Sequence, residues 1–317
     1  MSLHIAHSIL TLTPNPALDL TGHLPQLQVG QVNLVRSGQL HPAGKGINVA
    51  RVLKDLGAQV LVSGFLGQEN QAPFQELFAR CGLQDHFLAV AGATRINVKM
   101  VEAKGQVTDL NFPGVTVGES ELLCFEQRLQ ELLPQVEYVV MAGSLPRGLT
   151  PARLQQWLER LASQGKRVIF DSSGAAMEAG LAAKPFLIKP NEHELADWAG
   201  QPLESREQLM AAAESLQARY EIPNVVVSRG ADGVLWLAGD RWWQGKPPRM
   251  SVVSTVGAGD SMVAGLTWGL SQEWPIEETL RLACAVSALA VTQIGVGITD
   301  QQQLSTLMAS IEVQQIR

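Results

Sequence analysis

The stretch Val253-Ser254-Thr255-Val256-Gly257-Ala258-Gly259-Asp260-Ser261-Met262 decides how the rest of the chain is read. A β-branched, strand-like run gives way to two glycines, an aspartate and an apolar helical pattern. Glycines at such a junction let backbone N–H groups approach a ligand closely. The first turn of the following helix adds unpaired N–H groups and the positive end of its dipole. An anion, above all a phosphate, is the natural guest. Asp260 is the odd member, because a carboxylate repels a phosphate. Two readings stand open: it caps the helix, as Asp often does, or it is a base for the group that attacks the phosphate.

Outward from this stretch the chain alternates. Apolar strand patterns fall at 59–65, 138–142, 167–170, 186–188 and 225–227, and helical patterns at 70–81, 119–133, 205–220, 258–270 and 276–293. A hairpin is expected to turn at Gly239-Asp240. Alternating helices and apolar strands predict an α/β fold, with a mainly parallel central sheet flanked by helices on both faces. Ligands sit at the carboxyl ends of the strands in such folds. Polar and glycine clusters fall there: Gly143-Ser144, Asp171-Ser172, Lys189-Pro190-Asn191, Ser228-Arg229-Gly230 and the opening stretch. Two β-rich inserts, near 20–40 and 95–112, do not fit the main sheet and are expected to pair as a small accessory sheet.

Composition narrows the function. The 317 residues are 46% hydrophobic and 17% charged, which is ample for a core, and the net charge of −6 argues against a nucleic-acid surface. Three widely spaced cysteines (Cys81, Cys124, Cys284) predict buried free thiols in a reducing cytosol. No basic n-region precedes an apolar core in residues 1–12, and no apolar run reaches the roughly 18 residues of a membrane span, so a cytoplasmic protein is expected.

Several motifs are excluded. There is no G-x-x-x-x-G-K-[ST], and Gly257-Ala258-Gly259 lacks the third glycine of a dinucleotide fingerprint, since Met262 stands there. No Cys/His set has zinc spacing; His4 and His7 lie near the terminus, and His193 reads as surface. Ser144 lies outside any nucleophile elbow. Other motifs carry chemistry. Gly44-Lys45-Gly46-Ile47-Asn48 opens a helix with an ammonium, an amide and free N–H groups, suited to a polyhydroxy or phosphorylated ligand, or is a plain helix start with a solvent-facing lysine. Asn191 and Glu194, three apart, either orient waters around Mg²⁺ or form a capping box. Arg95, Asn97 and Lys99 alternate along an expected strand and so share one face, suited to a phosphate.

Taken together, Ala43-Gly44-Lys45-Gly46-Ile47-Asn48-Val49-Ala50, Asn191 to Glu194, and Ser254 to Ser261 resemble three signatures of the ribokinase-like superfamily of sugar kinases, over nearly the whole chain. Within it, the segments at 11–19, 94–99, 108–114 and 296–300 are similar to the bacterial 1-phosphofructokinase group. Tagatose-6-phosphate kinase and the superfamily's 6-phosphofructokinase are near relatives. The resemblance implies one ribokinase-like domain over 1–317, with a β-sheet lid from about 14–41 and 92–113 that pairs between subunits in a homodimer. It also implies ATP- and Mg²⁺-dependent phosphorylation of O6 of fructose 1-phosphate.

In that scheme Asp260 accepts the hydroxyl proton, and the N–H groups of Gly257, Ala258 and Gly259 stabilise the transferring phosphoryl group. Glu194 holds Mg²⁺ through water, with Asn191 nearby. Asp19, Gly44 and Asn48 take sugar hydroxyls; Lys45, Arg95 and Lys99, with Asn97 on the same face and Arg36 as a weaker candidate, take the existing phosphate. Lys189, Asn191, Ser228, Gly230 and Gly233 line the nucleotide side, and Ser287 approaches the adenine. A catalytically silent sugar-phosphate sensor is the competing class, and a pure binder has no need of a base at 260.

Overall fold

The computed structural model describes residues 8–317, so His4 and His7 lie outside the described residues. Eleven strands form the central sheet. From one edge they run Glu312–Gln315, Arg241–Lys246, Val234–Ala238, Asn224–Ser228, Leu187–Ile188, Arg167–Asp171, Val136–Ala142, Ser8–Thr13, Val60–Gly67 and Gln84–Asp85, with Leu88–Val90 also pairing to Val60–Gly67. Pairings from Gln84–Asp85 to Asn224–Ser228 are parallel, and the last three are antiparallel.

Strand alternation splits the core in two. Val139, Met141, Val168, Phe170 and Ile188 pack on one side, against helices Glu119–Leu132, Pro151–Ser163 and Arg206–Tyr220. Tyr138, Val140, Ala142, Ile169 and Leu187 pack on the other, against helices Lys45–Asp55, Ala72–Cys81, Ala258–Ser271 and Ile276–Ala290. A strand apolar at every position is what burial on both faces demands. The helix carrying Asp260 is seated tightly: a Cβ on Gly265 would lie 2.6 Å from Ala283 Cα, so the two last helices of this layer touch along their backbones.

The two β-rich inserts do pair. Ser37–Ala43, Ala17–Leu24, Ile96–Glu102 and Val107–Leu110 form a separate four-stranded sheet in that order. Its register puts Leu20, Leu40, Val98 and Leu110 on one face, and Asp19, Asn97, Lys99, His41 and Asp109 on the other.

Three expectations need correction. The run 253–256 is not a strand: Val252, Val253 and Val256 are 64%, 58% and 48% exposed, and the segment is held by Val253 N–H donating to Val291 O at 2.8 Å. Its β-branched residues find no neighbouring strand to pair with, so the glycine-aspartate turn does not stand at a strand end. The helix Gly174–Ala182 and the strand Glu312–Gln315 lacked a pattern to find them, being respectively apolar all round with two glycines, and polar at a sheet edge. All three cysteines are free, but only Cys284 is buried; Cys124 is exposed and Cys81 half-buried. No helix among the described residues is long and apolar enough to cross a membrane.

Candidate active site

Gly257 opens the helix Ala258–Ser271 with φ 79°, and a Cβ there would run into Val296 Cγ2. Ala258 and Gly259 follow, and Asp260 stands at the third helical position. Among the described residues no backbone carbonyl accepts from the Gly257 or Gly259 N–H, while Ser261 N–H closes the first turn onto Gly257 O at 2.8 Å. Ala258 N–H turns back to Thr255 O at 3.4 Å, and a helix start with free N–H groups at Gly257 and Gly259 is suited to an anion. Asp260 does not cap it. Its Oδ2 instead accepts from Asn48 Nδ2 at 2.8 Å, across 212 residues, which overturns the capping reading. The carboxyl is 7% exposed. Burial pushes it up to about 6, helped by the nearby Asp171, while the Asn48 bond, Lys45 and Lys189 pull it down. A carboxyl titrating there is mostly ionised at neutral pH and still basic enough to take a proton.

Asp171 ends the strand Arg167–Asp171 and is 3% exposed. Its Oδ2 accepts from Lys45 Nζ at 3.3 Å, and Lys189 Nζ lies 3.6 Å from its Oδ1. Burial alone would raise its carboxyl, but Lys189 and Lys45 together hold it below the usual carboxylate range. Burial also works against the Lys45 ammonium, yet Asp171, Asp260 and Glu194 outweigh it and raise its pKa. Lys189 Nζ lies 3.5 Å from where a Cβ on Gly259 would stand, so this buried ammonium reaches the first turn of the anion-binding helix. Lysines from two different elements thus share one carboxylate. Asp171 was visible in the sequence only as a polar residue closing an apolar strand; the two lysines that give it meaning come from 126 residues before it and from the next strand.

Asn191 and Glu194 do form a reciprocal capping box. Asn191 Oδ1 accepts from Glu194 N–H and Glu194 Oε2 accepts from Asn191 N–H, both at 2.9 Å. That leaves Glu194 Oε1 unused. Among the described residues no three carboxylate, His or Cys groups gather as a metal cage. One free carboxylate oxygen, close enough to Lys45 to raise its pKa, fits a hydrated Mg²⁺ carried by a polyphosphate, an ion that keeps most of its waters. His193 is exposed.

On the polar face of the small sheet, Asn97 Nδ2 donates to Asp19 Oδ1 at 3.2 Å, and Lys99 Nζ sits 3.2 Å from Asp109 Oδ1 and 3.7 Å from Asp19 Oδ2. Arg95 stands just before the strand Ile96–Glu102, its carbonyl accepting from Leu18 N–H at 2.8 Å, and it lies close enough to Asp19 to feel its charge. Its guanidinium donates to Pro16 O, Asn15 O, Phe112 O and Ser144 Oγ at 2.9–3.3 Å, tying the root of the small sheet to the main one. Four of its five N–H donors are so engaged, and burial lowers its pKa. Arg36 is exposed beside the strand Ser37–Ala43.

Gly44 precedes the helix Lys45–Asp55 with φ 147°, and Asn48 N–H returns to Gly44 O at 2.9 Å. Ser228 ends its strand, where its N–H donates to Pro190 O at 3.0 Å, and Gly230 begins the short turn Gly230–Asp232. These two stand beside Lys189 at the carboxyl ends of neighbouring strands. Gly233 closes that turn, its N–H donating to Gly230 O at 3.3 Å, and a Cβ there would strike Gly245 O in the next hairpin. Ser287 is half-buried one turn before Val291, whose carbonyl holds the 253–254 segment, and is not part of the cluster around Asp260.

This geometry has relatives. The description "pfkB family carbohydrate kinase" matches residues 15–303. The chain is 54% identical over 305 residues to the 1-phosphofructokinase of Vibrio cholerae, covering 96% of both, and 49% identical over 310 residues to that of Escherichia coli K12, covering 98% of this chain and 99% of the other. Among solved structures, phosphofructokinase-2 from Escherichia coli in complex with fructose-6-phosphate superposes with a TM-score of 0.86 at 30% identity, covering 96% and 98% of the two chains. The match over residues 15–303 and these identities over nearly the full length show that the chain belongs to the pfkB family of carbohydrate kinases.

Proposed function

We propose that the chain is an ATP-dependent 1-phosphofructokinase that moves the γ-phosphoryl group onto O6 of fructose 1-phosphate and yields fructose 1,6-bisphosphate. The observation that carries it is Asp260: a buried carboxyl near pKa 6, aimed by Asn48, at an anion-binding helix start beside Lys189. A binding protein has no use for that group, whereas a kinase needs a base where the attacking hydroxyl meets the phosphoryl group. The choice of sugar phosphate follows the names of the relatives that are 54% and 49% identical.

Asp260 takes the proton of the attacking hydroxyl at its free Oδ1. The N–H groups of Gly257, Ala258 and Gly259, with Lys189, meet the charge on the transferring group. Lys45 lies between Asp171 and the Asp260 side, so its ammonium reaches the incoming phosphate from the sugar side. Glu194 Oε1 would hold a hydrated Mg²⁺ through water, and the ion would supply positive charge to the phosphates of the nucleotide. Asp19, Asn97 and Lys99 hold the sugar phosphate from the lid, with Gly44 and Asn48 beneath it. The nucleotide lies along Ser228 and Gly230, towards Ser287. Gly233 serves the hairpin and Arg95 chiefly the lid root, so the substrate phosphate falls mainly to the lysines.

The chain acts as one domain and pairs through its lid. What supports the pairing is the apolar lid face, on which Leu20, Leu40, Ile96 and Leu110 are 36%, 45%, 40% and 52% exposed. Release of ADP with fructose 1-phosphate, fructose 6-phosphate, tagatose 6-phosphate and free fructose tests the substrate. Turnover of fructose 6-phosphate at equal or greater kcat/KM overturns the choice of sugar, and no turnover of any of the four restores the sensor reading.

A further inference from the structure

The segment Val296-Gly297-Ile298-Thr299-Asp300 stands out in the sequence but does no chemistry in the site described above. It belongs to a loop, 291–300, without helix or strand. Val296 is the loop's one buried side chain, 7% exposed, while Ile294 two residues away is 79% exposed. What Val296 covers is Gly257: its Cγ2 fills the space where a Gly257 Cβ would stand. A methyl group therefore lies directly behind the left-handed residue that opens the anion-binding helix.

The loop is fixed partly within itself, by Gln293 Nε2 donating to Gly297 O at 2.7 Å and Thr299 Oγ1 donating to Gln293 Oε1 at 2.9 Å. At the loop's start Val291 O accepts from Val253 and Ser254 N–H, and the bonds around its far end go to one residue. Ile298 N–H donates to Asp55 Oδ2 at 2.7 Å, and Gln301 Nε2 donates to Asp55 O at 3.2 Å. Gly297 makes the approach feasible: its φ is 131°, and a Cβ there would lie 3.0 Å from Asp55 Oδ2. Asp55 ends the helix Lys45–Asp55, where a carboxylate opposes the helix dipole. Burial works further against its charge, ahead of the Ile298 bond and Arg51, which favour it. Nothing in the helix itself calls for an acid there; the loop does. The same helix carries, near its other end, the Asn48 that holds Asp260.

We propose that Asp55 is a positioning residue for phosphoryl transfer, holding Ile298, and through it Val296, against the back of Gly257. One helix then aims both halves of the transfer site: Asn48 fixes the base, and Asp55 fixes the N–H groups that meet the phosphoryl charge. The inference rests on the anion-binding role given above to residues 257–259.

The test compares Asp55→Ala, Asp55→Asn, Val296→Ala and the double alanine variant with the unaltered enzyme. Deleting one preorganised donor costs about 10²–10³ in kcat; loosening a set of them is expected to cost about tenfold. Asp55→Ala should lower kcat by that factor while the KM for the sugar phosphate stays within twofold. Asp55→Asn keeps an acceptor for Ile298 N–H and should recover most of the loss. Val296→Ala should lower kcat alike, and the double variant should be no slower than the worse single one. Hydrogen exchange at 257–259 should accelerate in Asp55→Ala, whichever sugar is used or if none turns over, which keeps failure of the substrate reading distinct. Unchanged exchange at 257–259, a lower Tm with full kcat per folded molecule, or simple additivity of the two alanine substitutions would overturn the proposal.

Discussion

Asp260→Asn should make the protein more stable while nearly abolishing its activity, and the gain should depend on pH. The carboxyl is buried and titrates at about 6 in the folded protein, against 3.8 for the ordinary group. A raised folded pKa means that folding favours the protonated form. The group's contribution is therefore intact below pH 3.8 and is lost as pH rises through 6. The difference of 2.2 pKa units, at 1.36 kcal/mol each, corresponds to about 3 kcal/mol of lost stability above pH 7. Asparagine is neutral and of the same shape, so it removes the penalty without leaving a cavity. Urea melts should show the variant more stable than the parent by about 3 kcal/mol at pH 8 and by about half of that at pH 5, where the parent's carboxyl is already largely protonated. Turnover at pH 7.5 should fall by about 10²–10⁴, the usual scale for a lost general base. A gain that is the same at pH 5 and pH 8, or no gain at all, would refute the buried, partly protonated aspartate. Near-normal turnover would refute its role as base.

Other predictions follow from the same contacts. The acid limb of kcat against pH should fall near pH 6, losing about tenfold between pH 7 and pH 5, since the ionised carboxylate is the active form. Asn48→Ala removes the donor that favours that form and should move the limb upward by about one unit, the scale of a hydrogen bond to a charged group; an unmoved limb would detach Asn48 from Asp260. Arg95→Ala should raise the KM for the sugar phosphate much more than that for ATP and also lower the Tm, because its donors hold the root of the lid; a change in neither KM nor Tm would remove it from both roles. Leu40→Asp, on the apolar face of the small sheet, should shift the protein towards monomer in sedimentation velocity, and an unchanged sedimentation coefficient would place any subunit contact elsewhere.

The chain shows how far local pattern reaches. Apolar runs such as Val139-Val140-Met141 and the helical spacing of Ile47, Ala50 and Leu53 made the layered α/β core legible, because burial imposes a period on each element by itself. Gly44-Lys45-Gly46-Ile47-Asn48 and Gly257-Ala258-Gly259-Asp260 marked the helix starts that face the cleft. Reading the valines at 253–256 as a strand failed because a strand exists only if a neighbour offers its edge, and no edge comes there. Alternation placed Arg95 near Asp19, where its charge is felt, but gave no sign that the guanidinium also binds the carbonyls of Asn15, Pro16 and Phe112.

By itself, then, the sequence determined the layer architecture, the inserts that form the small sheet, and the glycine-opened helix starts at 44 and 257. Which residues meet at those starts was decided by tertiary structure alone. Asp260 is aimed by Asn48 from 212 residues away instead of capping its helix, and Asp171 meets two lysines from different elements. The Asp55 contact spans 243 residues. Secondary structure is written in the spacing of apolar residues, which any short window contains. The charge and hydrogen bonding of a buried carboxylate depend on what the fold brings within about 4 Å of it, and no window of the chain holds that distance.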